Sequence, residues 1–337
     1  PCGSVAGLDD LAADAGAVGL LIQNGFDTRE PGITLPTQVL DGARATALRA
    51  ALDAGTTITA TLERTAVVGR STAFDTTIVA HEWGHLLSSR LVGDANGLAA
   101  NQSRGLAEGW SDFVALLTTL EAADLQKPNN ADWRGAFAIG GHQRSATGYA
   151  GESLDAHYFG VRRFPYSIDP MRNALTFRHI VSNVPLPTTA PISPANGGGG
   201  NDNAEVHNAG EVWASALWEG TTRVLKDPRF PTFDQGRRSV LRLLVASLKA
   251  TPVNPTFVEA RDALLITAKA TGPGEFQSFL DGLAVRGMGL SAQAPNRRSL
   301  TNAPVMEDFT NAGARWAVLE VKALEDRDSC DNDGVLD

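Results

Sequence analysis

Two histidines four residues apart, with a glutamate directly after the first, stand in the stretch TTIVAHEWGHLLSSRL, residues 76–91. On a helix this spacing puts His81 and His85 on one face, where both can offer a ring nitrogen to a single cation. Glu82 lies about 100° further round, near such an ion without ligating it. The plain alternative is a helix that carries two histidines by coincidence. It is disfavoured because a buried imidazole needs a polar partner and because the chain holds only six histidines in all.

A hydrolytic zinc site takes three protein ligands and keeps a fourth position open for water. The stretch GLAEGWSDFVALL supplies a second amphipathic helix on which Glu108 and Asp112 share a face with a turn between them. Glu108 facing the histidines would complete a His₂Glu set, and Asp112 could accept the free N–H of a ligand imidazole and fix its orientation. The plain alternative, an exposed acid pair, sits poorly with the neighbouring Trp110, Phe113 and Leu116. A third stretch, NDNAEVHNAGEVWASALWE, starts a helix near His207, with Asp202 five residues before it. A histidine held by a carboxylate suits the stabilisation of a developing oxyanion beside a metal; a histidine at a helix start can equally be structural.

Positioning these groups requires long helices. Helical periodicity covers residues 76–91, 106–122, 206–224, 238–248 and 256–268, the last opening on a Thr256/Glu259 capping-box spacing after Pro255. Residues 187–203, PTTAPISPANGGGGNDN, have neither period and read as a long loop beside a cleft. Residues 1–64 differ in character. They read as helix (LDDLAADAGA), strand (VGLLIQN), strand (LPTQVL), helix (DGARATALRAAL, with Asp41 as N-cap) and a final alternating strand (GTTITATLER). The fold class expected is α+β: a mainly helical catalytic domain over 65–310, preceded by a small α/β block over 1–64 and followed by a linker over 311–337.

Five separated blocks carry a family resemblance: IVAHEWGHLLSSRLVG, GLAEGWSDFVALL, RRFPYSIDPMRNALTF, VHNAGEVWASALWE and NPTFVEARDALL…FLDGLAVRGMG. In this order, over roughly residues 70–290, they resemble fungalysin-type metallopeptidases, relatives of thermolysin. The resemblance implies a gluzincin fold and zinc held by His81, His85 and Glu108. It implies Glu82 as general base, Asp112 behind a ligand histidine, and His207 as transition-state histidine with Asp202 as its partner. It further implies a secreted endopeptidase acting on proteins or peptides and made as a zymogen whose propeptide acts as inhibitor and chaperone. Departures are Ala107, where the family has glycine before the ligand, a short stretch between His85 and Glu108, and the lack of an upstream β-rich subdomain. The 1–64 block is similar to the later part of a protease-associated domain. A catalytically silent binding protein is the rival reading; the intact Glu82 stands against it.

The remaining features bound the function. With a net charge of −9 and pI ≈ 5.2 the chain is a poor match for phosphate backbones, so no nucleic-acid partner is expected. It contains no run of eighteen or more apolar residues, so no membrane span is expected. It opens on Pro1 without a signal segment, as a processed or excerpted chain does. Cys2 and Cys330, at the two extremities, either form one disulfide or stay apart. The tail LEDRDSCDNDGVLD places Asp331 and Asp333 at oxygen-ligand positions of a calcium loop, or serves as a solvated acidic linker. Tyr149, Tyr158 and Tyr166 are the only tyrosines, and Arg162, Arg163 and Arg178 are candidates for gripping a substrate carbonyl.

Overall fold

A computed structural model describes residues 5–23, 33–40, 42–61, 71–144, 152–193 and 202–311 of the 337-residue chain. Its contacts divide into two compact units, Pro1–Val68 and Gly69–Asp337. Asp41, Tyr149, both cysteines and the tail aspartates Asp331 and Asp333 lie outside the described residues, as does the centre of the glycine-rich loop.

In the first unit, helix α1 (Val5–Asp14) precedes strand β1 (Leu20–Gln23), and strand β2 (Thr37–Leu40) precedes helix α2 (Gly42–Asp53). The two strands run parallel, Leu20 opposite Thr37 and Gln23 opposite Leu40, and form the only sheet among the described residues. The buried Asp9 on α1 accepts hydrogen bonds from the amides of Thr34 and Leu35 and from the Thr34 hydroxyl, which pins the approach to β2. Of the alternating segment that predicts a further strand over 55–64, the described residues 55–61 are exposed and carry no strand. Alternation makes a strand only where one face has a core to cover, and Ile58 is exposed.

The second unit is helical: α3 (Thr76–Leu91), α4 (Asn101–Thr119), the short α5 (Gly141–Arg144) and α6 (Glu152–Phe159), then α7 (Val206–Leu225), α8 (Phe233–Ala250), α9 (Phe257–Thr271) and α10 (Pro273–Val285). Most have legible starts. Asp75 caps α3 by accepting from the Thr77 amide, and Thr232/Gln235 and Thr256/Glu259 form capping boxes on α8 and α9. Pro273 occupies the first turn of α10, a helix the hydrophobic pattern alone does not single out. Helix α7 is buried on nearly all sides, and its buried carboxylates Glu211 and Glu219 are paired with the buried Arg163 and Arg286. Trp110 of α4 meets Trp213 of α7 edge to face at 5.9 Å, and Trp213 in turn meets Phe257 of α9.

Glycines let the three site-bearing helices approach closely. A Cβ on Gly84 of α3 would stand 2.6 Å from Ser111 Cα of α4. A Cβ on Gly210 of α7 would stand 2.7 Å from Glu108 Cβ, and one on Gly109 2.6 Å from the Gly210 carbonyl. Both crossings are therefore closed to any larger residue without a shift of the backbones. Gly84 is next to His85 and Gly109 next to Glu108, so the packing that fixes the helices also fixes these polar groups.

Candidate metal centre

His81 comes from a buried position on α3, and its ring is held on both sides. Nδ1 lies 2.6 Å from Asp112 Oδ1, and Nε2 points at His85 Nε2, 3.0 Å away, with the two rings edge to face. Glu108 reaches in from α4, its Oε2 3.3 Å from His81 Nε2 and its Oε1 3.5 Å from His85 Nε2. One ligand atom from each of His81, His85 and Glu108 lies within 4.8 Å of the others, the only such group of three among the described residues.

This donor set fits a zinc ion on an independent observation. Glu108 Oε2 is buried and accepts no hydrogen bond, although such an orphan oxygen costs about 1–3 kcal/mol or more. A cation bound between two imidazoles and this carboxylate would satisfy it, and two nitrogens with one oxygen is a zinc-type set. Burial works against charge on both partners, yet their mutual contacts prevail. His81 rises to about 9 through its bond to Asp112 and the nearby Glu108 carboxylate, while the histidines hold Glu108 well below the usual carboxylate range. His81 therefore carries a proton at neutral pH when no metal is bound, and zinc needs its Nε2 lone pair. Binding at pH 7.5 is expected to release about one proton, and affinity to rise about tenfold per pH unit up to about pH 9. Calorimetric titration in buffers of different ionisation enthalpy measures this, and zinc uptake without proton release would contradict it.

Asp112 is the hub behind the ligands. It is wholly buried and accepts from His81 Nδ1, from Arg162 Nε at 2.6 Å and Nη2 at 2.8 Å, and from the Tyr166 hydroxyl. Burial would raise its carboxyl, but the Arg162 guanidinium and His81 hold it far below the usual range. Arg162 and Tyr166 are therefore interior partners of Asp112, neither gripping a substrate nor lying on the surface. Arg163, also buried, pairs with Glu211 and donates to Asn203 and to the Asn208 carbonyl. Arg178 is exposed, and Tyr158 is half-buried against Phe159.

His207 stands in the first turn of α7 with Nε2 3.5 Å from Glu108 Oε2, at the edge of the cluster. The carboxylate on its Nδ1 is Glu205, at 2.7 Å, not Asp202. Asp202 is committed elsewhere, its Oδ1 accepting from the Ser182 hydroxyl and the Ala204 amide. The five-residue spacing fails because the chain turns at Asp202–Glu205 before α7 starts, leaving Glu205 beside the ring. The Glu205 bond raises the His207 imidazole above its ordinary value, with burial opposing. A glutamate at the residue before the helix, two before a histidine, is the local signal for this pairing. Glu82 is exposed on α3, with exposed Val79, Trp83 and Leu86 around it on the same side of the helix.

The family model for the fungalysin metallopeptidase (M36) family matches residues 54–292. Extracellular metalloproteinase MEP of Fusarium vanettenii is 30% identical over 239 residues, covering 66% of this chain and 32% of its own length. That of Aspergillus fumigatus is 30% identical over 250 residues, covering 70% and 33%, and that of Pyricularia oryzae 31% over 248 residues, covering 68% and 33%. The chain thus spans about a third of the length of these relatives. With the family match extending over well more than half of its residues, the chain belongs to the fungalysin metallopeptidase (M36) family.

Proposed function

We propose that the chain carries the catalytic centre of a secreted zinc-dependent endopeptidase that hydrolyses internal peptide bonds. The observation that carries this reading is the convergence of His81, His85 and the orphaned Glu108 Oε2, with His207 Nε2 3.5 Å from that oxygen and an exposed Glu82 next to His81 in the sequence of α3. Zinc, when bound by those three residues, supplies Lewis-acid polarisation of the scissile carbonyl and lowers the pKa of a water.

The chain's own residues do the rest. Glu82, close to the ligands but outside their group, takes the proton of the attacking water on its carboxylate and returns it to the leaving amine nitrogen. His207, with Nδ1 held by a carboxylate, presents Nε2–H to the oxyanion of the tetrahedral intermediate. Asp112 keeps His81 in the tautomer whose Nε2 faces the cluster. The relatives' extracellular naming supports secretion, and proteins or peptides are the substrates proposed. A propeptide that inhibits the site before secretion follows from the family resemblance, and no nucleic acid is proposed as a partner.

The deciding experiment combines metal analysis with casein hydrolysis before and after chelation. One zinc per chain, hydrolysis abolished by a chelator and restored by zinc, is expected. Hydrolysis indifferent to chelation, or a chain that binds zinc and casein without cleaving it, would overturn the proposal. In the same assay His207→Ala is expected to lower kcat by about 10²–10³-fold and to leave a measurable rate.

A further inference from the structure

We propose that Glu205 is the positioning residue for His207, a single carboxylate that fixes the start of α7 with one oxygen and the imidazole with the other. Its Oε2 accepts from the amides of His207 at 2.9 Å and Asn208 at 3.2 Å, the second and third residues of the helix. Its Oε1 meets His207 Nδ1 at 2.7 Å. The ring is thereby tied to the backbone of its own helix, and its other nitrogen is aimed at Glu108. The inference rests on the role given above to His207.

The choice of residue supports a double function. Helix starts prefer short acceptors, serine, threonine, aspartate and asparagine, and glutamate is outside that set. Helices α3, α8 and α9 obey the preference, with Asp75, Thr232 and Thr256. At α7 a shorter side chain would satisfy the amides equally well; the extra methylene is what lets the second oxygen reach the ring. The need for such a tie is local, because the His207 side chain is 42% exposed and not locked by packing. A half-exposed imidazole keeps rotamer freedom, and holding one rotamer before the reaction removes that ordering cost from the barrier.

The test is Glu205→Ser, which keeps a good cap and removes the contact with the ring. The expected results are an unchanged Tm, within about 2 °C, unchanged zinc content, and a fall in kcat of about tenfold or more at unchanged KM. In a His207→Ala background the same change should alter kcat by less than about twofold, since the positioned group is gone. Glu205→Asp keeps cap and charge but not reach, and should fall like the serine variant. Outside catalysis, long-range ¹H–¹⁵N spectra of the metal-free protein should show His207 Nδ1 protonated in both the neutral and the charged form of the ring, and mixed tautomers of the neutral ring in Glu205→Ser. Full activity in Glu205→Ser, full rescue by Glu205→Asp, or unchanged ring signals would each overturn the proposal. If His207→Ala itself left kcat intact, the role given to His207 would fall, while the spectra would still decide whether Glu205 holds the ring.

Discussion

Glu82→Gln is expected to retain one zinc per chain and the wild-type Tm, and to lose turnover by about 10²–10⁴-fold or more. The retention of metal follows from geometry. The group able to hold the ion comprises His81, His85 and Glu108, and Glu82, exposed on α3, is not part of it. Exchanging an exposed carboxylate for an amide of the same shape leaves packing untouched, so stability should change within about 0.5 kcal/mol. The loss of turnover follows from chemistry. An amide cannot accept a proton from water and hand it to an amine, whereas each other element of the site survives the change. The variant thereby separates the enzyme from a silent homologue whose zinc is only structural. Metal content and casein hydrolysis on one preparation check it. A variant that keeps its zinc and most of its activity would remove Glu82 from the mechanism and leave the proton transfer to a different group.

Much of this site was legible because its signals are local. The i, i+4 spacing puts His81 and His85 on one face, the Glu108/Asp112 pair repeats it, and the capping boxes of α8 and α9 need only four residues each. What sequence could not give depends on distant partners. Helix α4 begins at Asn101, five residues before its expected start, without a side-chain cap of its own. The amides of Ala99 and Ala100 and the Ser103 hydroxyl are instead taken by Asn254, from the approach to α9. Arg162 and Tyr166 look like surface or cleft residues in sequence, because their partner Asp112 lies 50 and 54 positions away from them. Asp202 was the opposite error. The family spacing points to Asp202, but the turn at Asp202–Glu205 brings Glu205, an unusual residue at a helix start, onto the ring instead.

The second large effect is expected in the interior. Asp112→Ala should destabilise the metal-free protein by about 3–5 kcal/mol, because it removes the counter-charge of a buried guanidinium. Arg162 would then keep only the more distant Glu108 Oε2, 3.8 Å away, and the field of Glu211, while the Tyr166 hydroxyl and His81 Nδ1 lose their acceptor. For a unit of this size the loss corresponds to a fall in Tm of roughly 10 °C. Zinc affinity should fall as well, by about 10–100-fold, since nothing then orients the His81 ring. A double variant parts the two effects. In Asp112→Ala/Arg162→Met the unpaired charge is gone, so a large part of the stability should return, whereas His81 still lacks its acceptor and zinc binding should stay weak. Thermal unfolding of the metal-free proteins gives the first quantity and competition with a chelator the second. Recovery of both in the double variant would mean that Asp112 serves only to neutralise Arg162. Recovery of stability alone is what a carboxylate that both balances the arginine and aims the histidine requires.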